Sequence, residues 1–283
     1  MEQHPKWGDS PEKLLARHPV FNDLTLQCGA NSPHAARIRY RNHGHSLGAG
    51  GSRFTVAVGG RDSAPVNRLG NGDGLHLAQI QYALVNVLLL WMLTAPHEFA
   101  HAWVATRLGD DTPRNDGRVT LNPLAHVDWI GTVLLPFVTS LMGGGFLGWG
   151  RPVSTNPAKL RGGLNGLALV ALAGPASNIV MAVLLAAVAI ATIRIAPALS
   201  GFAQRGVLLS IYLALFNLLP VPPLDGSKLL LAARIPIAIY HELARAGFLL
   251  LVVLMVATSL GRYLSLWSVL AADAIFRALA VVL

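Results

Sequence analysis

Ala83-Leu84-Val85-Asn86-Val87-Leu88-Leu89-Leu90-Trp91-Met92-Leu93 leads, through Thr94-Ala95-Pro96, directly into His97-Glu98-Phe99-Ala100-His101. The apolar stretch reads as a helix lying in hydrocarbon. In the pentapeptide that follows, the histidines at i and i+4 share one helix face, so both imidazoles can reach one metal ion. The glutamate beside the first histidine is then placed to take a proton from a water on that metal. By itself the pattern is weak, because a histidine pair and a glutamate at this spacing also arise by chance and can be satisfied by local hydrogen bonds. The setting changes its weight: ionisable groups at membrane depth are costly and usually functional.

The rest of the composition agrees with a membrane setting. Of 283 residues 53% are hydrophobic and only 13% are charged. The apolar stretches are too many and too long for the strands of one soluble core, which makes this an all-α polytopic membrane protein. The formal charge of +8 would suggest nucleic acid in a soluble chain. Here the Lys and Arg residues are scattered through loops without a basic stripe, so membrane topology accounts for them and no nucleic-acid partner is expected. One cysteine, Cys28, excludes an intrachain disulfide and a Cys-rich metal site. The N-terminus lacks a basic segment followed by an apolar run, so no cleavable signal is expected.

Residues 1–78 are polar and crowded with glycine in their second half, which predicts a disordered tail. A membrane core is expected over 79–246 and further membrane helices over 247–283. The first helix is predicted from Gln79 to about Leu108, with Gly109 as its stop. Apolar residues 130–148 are broken by Gly131, Pro136, Gly143, Gly144, Gly145 and Gly148. Further apolar runs follow at Leu164–Ile195, Val207–Leu219, 247–260 and 264–281, giving about five to six membrane helices. Asp273 and Arg277 stand at i and i+4 in the last of these.

Two histidines leave a catalytic zinc short of its usual three protein ligands. Asp225 is the best further candidate, in Asn217-Leu218-Leu219-Pro220-Val221-Pro222-Pro223-Leu224-Asp225-Gly226. Its prolines end the helix, and Gly226 permits a tight turn that can project the carboxylate back. An aspartate capping a loop is the competing reading of that residue alone. Beside an intramembrane His-Glu-x-x-His, the ligand reading is favoured. His126 and Asp128 read as a turn and helix-start cluster in preference to ligands. His241-Glu242 is set aside, since Arg245 stands where a second histidine is needed.

His97-Glu98-x-x-His101, Ala173-Gly174-Pro175-Ala176-Ser177-Asn178 and Asn217-x-x-Pro220-x-Pro222-x-x-Asp225-Gly226 together resemble the site-2 protease family of intramembrane zinc metalloproteases. Leu121-Asn122-Pro123-Leu124-Ala125-His126-Val127-Asp128 is similar to its short bacterial members. The resemblance covers about residues 80–250. It implies one zinc held by His97, His101 and Asp225, Glu98 activating water, Asn217 assisting near the reacting carbonyl and Asn178 packing or orienting the core helices. It also implies a transmembrane protein as substrate and a multi-pass place in the cell membrane. Pro96 and Trp129 depart from the expected pattern; Pro96 removes a helical donor from the Met92 carbonyl, and Trp129 suits an interfacial anchor.

Both halves of this metal site must meet at one depth. The helices carrying His97 and preceding Asp225 therefore run the same way, with one full span, Leu164–Ile195, between them. Residues 130–148 are then a re-entrant element that returns to its starting side. The heavier load of Lys and Arg on the side of Arg107, Arg151 and Lys228 predicts that the site lies nearer the cytoplasm. A metal transporter or permease with an intramembrane His and Asp transit site is the alternative function, but it has no need of Glu98.

Overall fold

The computed structural model describes residues 24–28, 36–40, 55–57, 77–141 and 148–282. It divides into two units, 1–74 and 75–283. In the first, β1 (Leu24–Cys28), β2 (Ala36–Tyr40) and β3 (Thr55–Ala57) form an antiparallel sheet that pairs Leu26 with Ile38 and Ile38 with Val56. The rest of the predicted tail up to residue 76 lies outside the described residues, and residues 77–78 belong to the first long helix.

The second unit is helical. It comprises α1 (Leu77–Arg107), a π turn at Trp129–Leu134 that continues as α2 (Leu135–Leu141), α3 (Leu164–Thr192), α4 (Pro197–Asn217), α5 (Gly226–Ala232), α6 (Ile237–Ala257) and α7 (Leu260–Val282). Five of these, α1, α3, α4, α6 and α7, are long and apolar enough to cross a membrane. Each is apolar on its outer face as well as its inner one, as lipid-facing helices are. Leu84, Leu88, Leu169, Leu184 and Leu249 are among the exposed residues.

The packing centre is α3, which lies between α1 and α4. Ala182 and Ala186 of α3 meet Val207 and Ile211 of α4 and Ala272 of α7. Small residues here let the helix backbones approach, which matters where lipid supplies no hydrophobic drive to association. Leu90 and Leu93 of α1 close on Leu213 of α4. At the other end of α1, Ala105 packs on Leu160, Leu167 and Val170.

Helix ends follow local chemistry. Gly109 stops α1 with φ +101°, a conformation that favours glycine, and the Asp110 N–H reaches back to the Ala105 carbonyl. α1 runs through Pro96 without a break. α4 begins ten residues before its apolar run, at Pro197, because its polar residues are satisfied: Ser200 donates to the Ala189 carbonyl and the Arg205 guanidinium lies over the Tyr82 ring. α6 likewise starts at Ile237, so the boundary expected at 246/247 falls inside a helix.

Residues 131 and 132 lie beside Trp149. The Trp149 N–H donates to the Gly131 carbonyl at 3.0 Å, and the Thr132 hydroxyl donates to the Trp149 carbonyl at 2.8 Å. Bonded ends fit the expected re-entrant element, and the helical piece Trp129–Leu141 falls short of the helices long enough to cross a membrane.

Candidate metal centre

α1 sets His97 and His101 edge to face, with ring centroids 4.7 Å apart. The turn after α4 brings Asp225 to them. Asp225 Oδ2 lies 3.1 Å from His97 Nε2 and 3.0 Å from His101 Nε2, and the two nitrogens are 3.1 Å apart. All three residues are buried, and together they can hold one metal ion. Such spacing suits ligands gathered about 2.0–2.2 Å from a single ion.

The bonding within this triangle depends on where the histidine protons sit. His101 Nδ1 lies 2.6 Å from the Val170 carbonyl oxygen. A carbonyl only accepts, so Nδ1 carries the proton and Nε2 of the neutral ring presents a lone pair. That lone pair faces Asp225 Oδ2, an arrangement in which a metal ion or a shared proton can sit between the two atoms. His97 differs, because its Nδ1 faces an amide nitrogen. Asn178, fully buried, places its amide 3.2 Å from His97 Nδ1 and leaves its Oδ1 without a partner. Half a turn of that amide gives the His97 Nδ1–H an acceptor and bares Nε2. Asn178 thus orients a candidate ligand, a more specific task than helix packing.

Gly174 of α3 completes the cradle. A Cβ there would overlap His101 Nε2 and His97 Cε1, so only glycine keeps the ligating edges clear. Lys228 donates to Asp225 Oδ1 at 2.9 Å and leaves Oδ2 to the histidines. Sequence reading missed Lys228, whose only signal is its i,i+3 spacing from Asp225.

Glu98 is buried beside the triad, and its Oε2 accepts the Val153 N–H at 3.2 Å. Asn217 stands apart: its amide donates to the Leu213 carbonyl one turn back, and among the described residues it has no bond to the triad. His126 and Asp128 are structural. Asp128 caps the π turn by accepting from the Ile130 and Gly131 N–H groups, and His126 Nε2 lies 2.8 Å from the Thr120 carbonyl. Burial holds the His126 imidazole below its ordinary pKa. Asp110, also missed as a working residue, accepts from Thr112 and from the Asn156 N–H. Although burial opposes ionisation, those bonds keep its carboxyl below the usual range. Glu242 and Arg245 form an exposed ion pair.

Comparison with known proteins places this geometry. Over 205 residues the chain is 35% identical to "Putative zinc metalloprotease YwhC" of Bacillus subtilis, covering 69% of this chain and 88% of that protein. The chain belongs to the site-2 protease family. This family member is also 37% identical over 193 residues to "Putative zinc metalloprotease Rip2" of Mycolicibacterium smegmatis, covering 65% of this chain and 72% of the relative. Rip2 of Mycobacterium tuberculosis is 32% identical over 164 residues, covering 54% of this chain and 60% of the relative. No family model matches the chain, and no solved structure matches it. The relatives' names and the five apolar helices support a membrane zinc protease.

Proposed function

We propose that this protein is an intramembrane zinc metalloprotease of the site-2 type, hydrolysing peptide bonds in or near the transmembrane segments of other membrane proteins. The observation that carries the reading is the buried gathering of His97 Nε2, His101 Nε2 and Asp225 Oδ2, each about 3 Å from the other two, a set that can hold one metal ion. His97, His101 and Asp225 hold the zinc. When bound, zinc polarises the scissile carbonyl and lowers the pKa of the attacking water.

The remaining steps belong to the chain's own groups. Glu98 takes the water's proton at its carboxylate and passes it to the leaving amine. The Val153 N–H fixes the direction of that carboxylate. The Val170 carbonyl holds His101 in the tautomer that binds metal, and the Asn178 amide packs against His97 Nδ1. A substrate helix hides its peptide bonds in its own hydrogen bonds, so preferred substrates carry helix-weakening residues near the cut.

The test compares membrane proteomes of cells carrying the wild-type chain or Glu98→Gln. The reading predicts membrane proteins that stay full-length only in the variant. Identical proteomes under every growth condition that expresses the protein contradict it.

A further inference from the structure

Arg118 is a buried guanidinium with no acidic partner among the described ion pairs. It is satisfied instead by carbonyls from two segments that are far apart in sequence. Nη1 donates to the Ala125 carbonyl, and Nη2 reaches the carbonyls of Pro152 at 3.3 Å and Arg151 at 3.5 Å. The Arg151 N–H adds a bond to the His126 carbonyl at 2.9 Å. The extended segment 149–153 is thereby tied to the turn at 123–126. Burying a guanidinium costs several kcal/mol of hydration, a high cost if closing a loop were its whole purpose.

The clamped segment runs along α1 at the site. A Cβ on Gly150 would overlap Thr94 Cγ2 and come within 3.5 Å of Glu98 Oε1, so the backbone lies against the turn from Thr94 to Glu98. One residue beyond the clamped pair, the Val153 N–H donates to Glu98 Oε2.

We propose that Arg118 is a positioning residue for Glu98. Its guanidinium fixes the carbonyls of Arg151 and Pro152, and the fixed segment presents the Val153 N–H that aims the glutamate. The proposal rests on the reading of Glu98 as general base.

The experiment uses the full chain in bilayer discs, with Arg118→Gln, Arg118→Lys and Gly150→Ala assayed on a single-span model substrate. In Arg118→Gln, amide exchange at Arg151 and Val153 should rise tenfold or more while zinc per chain is unchanged. Its kcat should fall by roughly 10–100-fold, the scale of a misplaced catalytic group, with KM within about threefold of wild type. Lysine reaches one carbonyl at a time and should restore activity partly. Gly150→Ala lifts the segment off α1 with Arg118 intact and should reproduce the kcat loss; it decides the matter if Arg118→Gln does not fold. Exchange that rises while kcat holds, or a loss carried by KM or by zinc, overturns the proposal. If Glu98→Gln is inactive while the loosened variants cleave normally, the clamp alone fails. If Glu98→Gln itself cleaves at the wild-type rate, the base reading fails.

Discussion

His101 gives its Nδ1 proton to the Val170 carbonyl, 2.6 Å away on α3. A backbone carbonyl only accepts and cannot be removed by mutation, so the bond turns Nε2 toward His97 and Asp225. Purified protein should therefore carry about one zinc per chain. His97→Ala, His101→Ala and Asp225→Ala should each lose most of it, since three protein ligands are the usual minimum for a catalytic zinc. Elemental analysis after dialysis reads this directly. Full zinc in Asp225→Ala would remove that residue from the ligand set.

Gly174→Ala tests the cradle. Its Cβ must displace His97 or His101, and overpacking of this kind costs about 1–3 kcal/mol. Zinc binding should weaken by about tenfold or more. Gly201→Ala is the control, because a Cβ there meets nothing. Equal zinc affinity in the two variants, by chelator competition, would contradict the cradle.

Local pattern made the centre of the site legible. The histidine pair is a single helical turn, and the proline-rich turn before Asp225 announces its own shape. Arg118, Asp110 and Lys228 were not legible as working residues, because their roles depend on carbonyls, an amide or a carboxylate whose position only the fold supplies. Arg118 and Asp116 look alike in sequence, as loop charges, yet Arg118 is buried and Asp116 is exposed. Helix starts were misjudged where the polar ends of α4 and α6 extend the helix beyond its apolar run. Asn217 shows a motif residue whose side chain points along its own helix.

The re-entrant element makes a topological prediction. With Cys28 replaced by Ser, single cysteines at Leu121 and Arg151, both exposed, should react with an impermeant reagent from the same membrane face. Labelling from opposite faces would mean that 130–148 crosses the bilayer. The shared depth of α1 and α4 would then fail with it.

His126 predicts a pH dependence of stability. Its folded pKa is below the ordinary value, so the unfolded chain takes up a proton that the folded chain refuses. Stability from this group is complete above about pH 6.5 and declines as pH falls through that value toward the lower folded pKa. The unfolding temperature should drop between about pH 7.5 and 5.5, the range that brackets an ordinary histidine. His126→Asn should flatten that stretch of the profile, and an unchanged slope would assign the dependence to another group.

The most direct measurement is Glu98→Gln in the purified chain. Glutamine keeps the size of the side chain and can still accept the Val153 N–H, but it has no basic carboxylate. Zinc content should be unchanged, and a single-span substrate should still bind. Cleavage should fall by at least about 100-fold, the scale of general acid–base catalysis. A metal transporter would instead keep its zinc flux, since transit needs no proton acceptor there. Wild-type cleavage by Glu98→Gln, in a preparation free of other proteases, would contradict the account.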